Sequence, residues 1–356
     1  MTSAIDDKAF HDELVRPETP GLPERFFDRF VFNMHPRSGE PISVLFGFGM
    51  YPPKNTVDGF VVVSDGTEQR NLRYSTELSA TDGNGGGPFS FEVLEPNTTW
   101  RLVLAPNPIG VEFDLTWHSR TPAWFGEVAV TNTGAAASAF DHLFQSGYYK
   151  GTLTIDGETR SVDGWDGQRD RSRGVRTMSG GQGLHVWYQA QFADRSVGFL
   201  LVETRDHTRL LLEGAVMHED GELDTIIEVR HDLNFDSNLD LRSGVVEVTT
   251  AAGRRYEIDT DASSGGGYMS GAGYGGHHGT PAGIDHVESD VYPLDGSVTQ
   301  QTLDSALTDR LADFELTLVD GSDGASDRLA KTPGRGIFEF ALTRSKSYQY
   351  QPTIVR

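Results

Sequence analysis

Most of this chain is organised as short runs in which apolar and polar residues alternate. Segments 56–64, 99–106, 110–119, 124–133, 149–157, 185–192, 198–204, 225–233, 244–250, 314–321 and 336–344 are rich in Val, Ile, Thr, Phe and Tyr. Such composition suits a pleated, half-buried surface. In 151–155, Thr152 and Thr154 oppose Leu153 and Ile155, which marks a strand with one apolar face. Turn clusters separate the runs, among them Asp82-Gly83-Asn84-Gly85, Asp156-Gly157 and Asp320-Gly321. Helical spacing is scarce. Ile5, Phe10 and Leu14 predict a short lead helix over 4–15, and Leu303, Leu307, Leu311 and Phe314 predict an amphipathic helix over 301–314. Regularly spaced strands with so few helices predict an all-β fold of sandwiches or barrels.

Composition narrows the class. A chain of 356 residues suggests two domains and needs no disulfide or metal to hold its core. The natural seam is the polar, glycine-rich stretch 174–183, which places the expected domains at 1–178 and 179–356. The 41 glycines fit a fold with many turns. The net charge of −22 repels nucleic acid and anionic membrane, so neither is an expected partner. The absence of cysteine excludes disulfides, thiol catalysis and Cys-ligated metal. Residues 1–15 show neither the basic start nor the apolar core of a signal peptide, and no apolar run spans a bilayer. A cytoplasmic location without integral membrane association is therefore expected, and a homodimer is compatible with it.

One stretch carries a resemblance. Residues 141–176 run through a glycine-punctuated hairpin into Gly164-Trp165-Asp166-Gly167-Gln168-Arg169-Asp170, followed by Ser172, Gly174 and Arg176. An aromatic strand, His185-Val186-Trp187-Tyr188-Gln189-Ala190-Gln191-Phe192, follows the seam. This arrangement resembles the carotenoid 1,2-hydratase (hydroxyneurosporene synthase) superfamily with its tocopherol cyclase-like and AttH-like relatives. The segments 270–294 and 334–353 look like the second half of actinobacterial members. The superfamily pattern has an Arg-Asp-His-Ser-Trp-Gly segment; here its His and Trp are Arg171 and Arg173, so roles of those two side chains do not carry over. The resemblance implies two lipocalin-like (calycin-like) antiparallel β-barrels side by side, with the ligand in a barrel interior.

Hydrating or cyclising an alkene requires an acid that keeps its proton near neutral pH, a cation-stabilising wall and control of water. Burial in an apolar site raises a carboxyl's pKa, and aromatic faces attract a cation. Asp170 is the first candidate acid, set against a plain salt bridge with Arg169 or Arg176; Asp166 shares that ambiguity. Glu203 lies mid-strand, where a solvated outward position is the alternative. Alternation puts His185, Trp187, Gln189 and Gln191 on one face of their strand and Val186, Tyr188, Ala190 and Phe192 on the other. The second set reads as core. The first mixes aromatic and polar groups as a ligand cavity does, or forms a solvent face with one exposed Trp. Asp170, Glu203 and His185 are thus the candidate catalytic residues. His142, Gln145, Tyr149, Trp165, Trp187 and Gln189 are the candidate substrate-binding ones.

Other patterns are weaker. Gly271-Ala272-Gly273-Tyr274-Gly275-Gly276 matches G-x-G-x-x-G without a strand–helix context. His277, His278 and His286 lack carboxylates at a ligand spacing. A calcium-loop pattern from Asp236 has Leu241 where glycine is required. No serine-hydrolase elbow or P-loop occurs. The expected activity is a cofactor-independent hydratase or dehydratase, cyclase or isomerase acting on an apolar terpenoid or steroid-like alkene. The alternatives are a non-catalytic carrier or sensor of a hydrophobic ligand, and a structural protein with filled barrels.

Overall fold

The computed structural model describes residue 7 and residues 16–130, 138–175, 182–272, 278–320, 327–328 and 331–355. Strand is the dominant element, and the helices among these residues are short 3-10 turns. The first twelve strands are β1 (Phe26–Met34), β2 (Ser43–Tyr51), β3 (Thr56–Ser64), β4 (Glu68–Glu77), β5 (Gly85–Gly86), β6 (Phe89–Glu95), β7 (Thr99–Leu104), β8 (Val111–Ser119), β9 (Trp124–Val130), β10 (Ser138–Ile155), β11 (Glu158–Ser161) and β12 (Asp166–Val175). The others are β13 (Gln182–Phe192), β14 (Arg195–Thr204), β15 (Arg209–His218), β16 (Leu223–Phe235), β17 (Leu241–Thr250), β18 (Arg255–Tyr268), β19 (His286–Pro293), β20 (Thr308–Asp320), β21 (Asp327–Arg328) and β22 (Thr332–Leu342).

Two antiparallel sheets result. The first runs β19-β4-β3-β2-β1-β12-β10-β8-β7-β6-β5, with β9 and β11 also on β10, and curls into a half-barrel. The second runs β18-β17-β16-β15-β14-β13-β22-β20, and the β18–β20 pairing closes it into an eight-stranded barrel. Closure removes the exposed edges an open sheet would leave. Strand β19, far along the chain, returns to the edge of the first sheet beside β4. The all-β, paired lipocalin-like architecture is therefore what forms, the second half closed and the first half open on one side. No helix among the described residues is long and apolar enough to cross a membrane.

The helix expected over 301–314 does not form: residues 301–304 are a turn and 308 begins β20. The cause is burial on both faces. Ala312, Phe314 and Leu316 fill the closed barrel, while Leu311 on the opposite face is equally buried. A strand covered on both sides loses clean alternation and mimics helical spacing. The lead helix expected over 4–15 lies outside the described residues except for Asp7.

Each half has its own hydrophobic core. Phe30, Phe32, Phe46, Phe48, Phe91 and Trp100 lead the first core, with ring centroids as close as 5.0 Å for Phe30–Trp100. Tyr188, Phe199, Phe314, Phe338 and Phe340 fill the second. These side chains occupy the interiors in which the resemblance implied a ligand. Strand contact in the second core is tight: a Cβ on Gly336 would sit 1.8 Å from the Gln189 carbonyl oxygen. Gly336→Ala is therefore expected to destabilise the protein by about 1–3 kcal/mol through overpacking, seen as a lower urea midpoint.

Deep under the first sheet lies a charged cluster. Arg169 and Arg171 are fully buried. Arg169 Nη1 donates to Asp7 Oδ1 at 3.1 Å, and its guanidinium stands 5.4 Å and 5.1 Å from the Trp100 and Trp117 rings. Arg171 donates from Nε and Nη2 to the two Asp28 oxygens, both at 3.2 Å. Alternation along β12 thus sends Arg169, Arg171 and Arg173 inward and Asp170 and Ser172 outward. The two arginines that replace the superfamily's His and Trp serve the core through Asp28, to which Arg173 also pairs at 3.4 Å.

Candidate functional site

Between the outer faces of the two sheets lies a cavity of about 260 Å³, close to the lower end of the roughly 300–1,000 Å³ usual for small-molecule sites. Register assembles its walls. In the first sheet Phe27, Arg29 and Val31 of β1 pair with Gly174, Ser172 and Asp170 of β12. His142 of β10 pairs with Ser172 from the other side. Paired residues share a face, so these groups line one wall together. In the barrel, Trp187 on β13 pairs with Leu200 on β14 and Glu339 on β22, and His185 pairs with Val202 and Ala341. These form the opposite wall. The lining is mainly apolar, with Phe27, Phe140, Trp187, Leu200 and Leu211 around a few polar groups.

His142 bridges the halves. Its Nδ1 lies 2.5 Å from Glu213 Oε1 on β15, and its Nε2 lies 3.2 Å from Asp170 Oδ2. The Val31 N–H donates to Asp170 Oδ1 at 3.1 Å. Gly126 makes room for this contact, since a Cβ there would lie 3.0 Å from Glu213 Oε2 and clash with the Trp124 ring. Burial disfavours the charged imidazole, but the Glu213 and Asp170 carboxylates outweigh it and raise the His142 pKa from 6.5 to about 9. His142 is therefore an imidazolium at neutral pH, donating to both carboxylates, with its ring 6.4 Å from that of Trp187.

This has a pH consequence. An imidazole that holds its proton more tightly when folded stabilises the fold at low pH. The contribution is complete below about pH 6.5 and is lost as pH rises through about 9, a difference of about 3 kcal/mol. Urea midpoints measured from pH 6 to 10 should fall accordingly, and His142→Gln should flatten the fall.

On the facing wall His185 Nε2 lies 3.2 Å from Glu339 Oε1. Behind Glu339, across the β20–β22 ladder, stands Asp309. Burial first, and then the neighbouring Glu339, hold the Asp309 carboxyl well above the usual carboxylate range.

The sequence-derived candidates separate cleanly. His142, Asp170, His185 and Trp187 meet in the cavity wall. Trp187 presents an indole N–H with no hydrogen-bond partner. Gln189 does not line the cavity; it accepts a hydrogen bond from Asn33 and ties the halves together. Gln145 belongs to the inner cluster, donating to the Asn97 and Thr121 carbonyls and accepting from Arg169. Tyr149 is core, its hydroxyl donating to the Asn33 carbonyl at 2.7 Å, and Trp165 packs against that core. Glu203 is neither solvated nor in the cavity: it is buried 3.3 Å from His231 Nε2, whose Nδ1 contacts the Tyr350 hydroxyl at 2.8 Å. Asp166 pairs with Arg37 at the surface.

Glu213, Glu339 and Asp309 were not anticipated. Glu339 had a readable signal: with Ile337 and Ala341 it occupies one face of a strand whose other face is Phe338 and Phe340. Of the three histidines weighed as ligands, His277 lies outside the described residues, His278 is 3.7 Å from Asp58 and His286 is 2.9 Å from Glu288. The described residues contain no group of three or more His, Asp or Glu side chains arranged to hold a metal ion.

Comparison with known proteins places this architecture. The AttH-like protein NE1406 of Nitrosomonas europaea superposes with a TM-score of 0.56 at 14% identity, over 92% of this chain and 99% of that one, and shares its fold. CghA, in a crystal structure with Sch210972, aligns with a TM-score of 0.48 at 10% identity, over 90% of this chain and 89% of its own. Kievitone hydratase of Nectria haematococca aligns at 0.44 and 12% identity, over 96% of each chain. No curated protein matches the sequence. The profile of DUF8625, described as a family of unknown function, matches residues 3–341, and the chain belongs to that family.

Proposed function

We propose that this protein is a cofactor-independent acid–base catalyst, a hydratase or dehydratase, cyclase or isomerase, acting on an apolar alkene-bearing small molecule held between the two sheets. The observation that carries the reading is the pair of histidine–carboxylate groups on opposite walls of one apolar cavity: His142 with Asp170, tied to Glu213 of the barrel, and His185 with Glu339. An alkene needs a proton from one side and stabilisation of the cation that results. His185 and Glu339 face the cavity and can move a proton. Asp170 stands on the opposite wall, and the Trp187 ring offers a cation–π surface. His142 has both nitrogens engaged, so it fixes the two carboxylates and is a positioning residue. The superfamily resemblance and the AttH-like fold are consistent with hydratase chemistry at this place.

The test is incubation of the purified protein with a panel of terpenoid and steroid-like alkenes and tertiary alcohols in ¹⁸O- and deuterium-labelled water. The expected result is label in recovered substrate or product. Tight binding of a panel member with no label and no product would overturn catalysis and leave a carrier of hydrophobic ligands.

A further inference from the structure

We propose that Asp309 and Glu339 form a carboxyl pair that holds one proton between them, and that Glu339 delivers this proton to the substrate. The inference rests on the acid–base reading above and names its acid. Three observations support it. First, Asp309 and Glu339 are direct partners in the β20–β22 ladder, and both are buried, Asp309 to 1% exposure and Glu339 to 5%. Second, both oxygens of the buried Asp309 carboxyl lack a hydrogen-bond partner, and Glu339 beside it on the ladder adds to the burial that raises its proton affinity. Two carboxylates are acceptors alone, so neighbours on one ladder can bond each other only when one of them is protonated. Third, few cationic groups accompany the pair: His185 bonds Glu339, and Arg29 lines the same cavity from the facing sheet. The β18 neighbour of Asp309 is Gly267, the β13 neighbour of Glu339 is Trp187, and the one titratable side chain bonded to Glu339 is His185. Among the described residues, Glu339 is the charged group that acts on Asp309.

The step balances. The alkene π electrons form a C–H bond with the proton of Glu339, leaving the pair with two negative charges and the substrate a carbocation. The new cation and the doubly charged pair attract one another across the wall. Water adds to the cation, and the proton it sheds returns to the pair. Glu339 touches the cavity and is the catalytic residue; Asp309 does not line it and is a positioning residue.

Infrared spectroscopy of the intact protein tests the pair without a substrate. At pH 7 we expect a carbonyl band of a protonated carboxylic acid that disappears in both Asp309→Asn and Glu339→Gln and persists in Asp240→Asn. Circular dichroism checks that each near-isosteric variant is folded. With a substrate from the labelled-water panel, Glu339→Gln should lower kcat by about 10²–10⁴. Asp309→Asn should lower kcat with KM unchanged and move the pH at which turnover falls. A wild-type spectrum without the band overturns the pair. A band together with undiminished turnover in Glu339→Gln overturns its role as donor while leaving the hydratase reading intact. A band with no turnover of any panel member overturns the functional reading and leaves the proton-sharing pair standing.

Discussion

Replacing His185 with alanine should lower turnover of an alkene substrate by about 10²–10⁴ while changing stability little. The activity estimate is the usual worth of a positioned acid or base. His185 faces the cavity from β13 and is bound through Nε2 to Glu339, so it is the group through which a proton can pass between that carboxyl and the substrate or water. Its side chain is 22% exposed, so its loss leaves no deep void, and Glu339, the partner it leaves, stands at the cavity wall. The expected pattern is a fall in kcat, an unchanged urea midpoint, and partial rescue by added imidazole. An unchanged kcat would remove the β13 wall from the chemistry.

Asp7→Ala should cost about 3–5 kcal/mol of folding stability, the usual penalty for removing one partner of a buried ion pair. Asp7 is fully buried, donates nothing and accepts from three elements: the Asn97 N–H at 2.6 Å, Trp100 Nε1 at 2.8 Å and Arg169 Nη1 at 3.1 Å. Its loss leaves Arg169 between two tryptophans with a charge that Gln145 and Asn97 satisfy only as neutral acceptors. Equilibrium urea unfolding is the measurement. The double variant Asp7→Ala/Arg169→Met should recover part of the loss, because the stranded charge goes with it. A single variant within 1 kcal/mol of wild type would show that the cluster is not held as a pair.

The sequence revealed faces far better than partners. Strict alternation over 185–192 placed Val186, Tyr188, Ala190 and Phe192 in the core and His185 and Trp187 together on the other face, and the structure divides these residues the same way. It could not say what the outward face meets. In a curled sheet that question is decided by how two sheets pack, and here the outside of the barrel became the inside of a cavity. Gln189 shares the face of Trp187 yet is spent on Asn33 two pairs along the strand. Glu213 is separated from His142 by 71 residues and sits on a strand whose run of three leucines shows no alternation. Asp309 was hidden by a false helical period. Its strand is covered on both faces, so hydrophobic spacing alone cannot distinguish the two structures there. Glu203 illustrates the converse: the mid-strand carboxylate, a candidate acid with a solvated outward position as its alternative, is buried beside His231 and Tyr350 and away from the cavity.

The cavity is bounded by two sheets and by the segment Ser305-Ala306-Leu307 that leads into β20. One wall is the convex side of a half-barrel and the other the convex side of a closed barrel, joined by bridges such as Asn33–Gln189 and Ser146–Gln191. Its width is therefore a rigid-body coordinate. Sliding one sheet over the other by a single residue pair would resize the chamber and re-pair its histidines without altering either core. Divergence in the molecules such a scaffold accepts can thus arise from contacts at the seam, among them Asn33–Gln189, Ser146–Gln191, His142–Glu213 and Arg120–Glu219, with the two hydrophobic interiors left untouched.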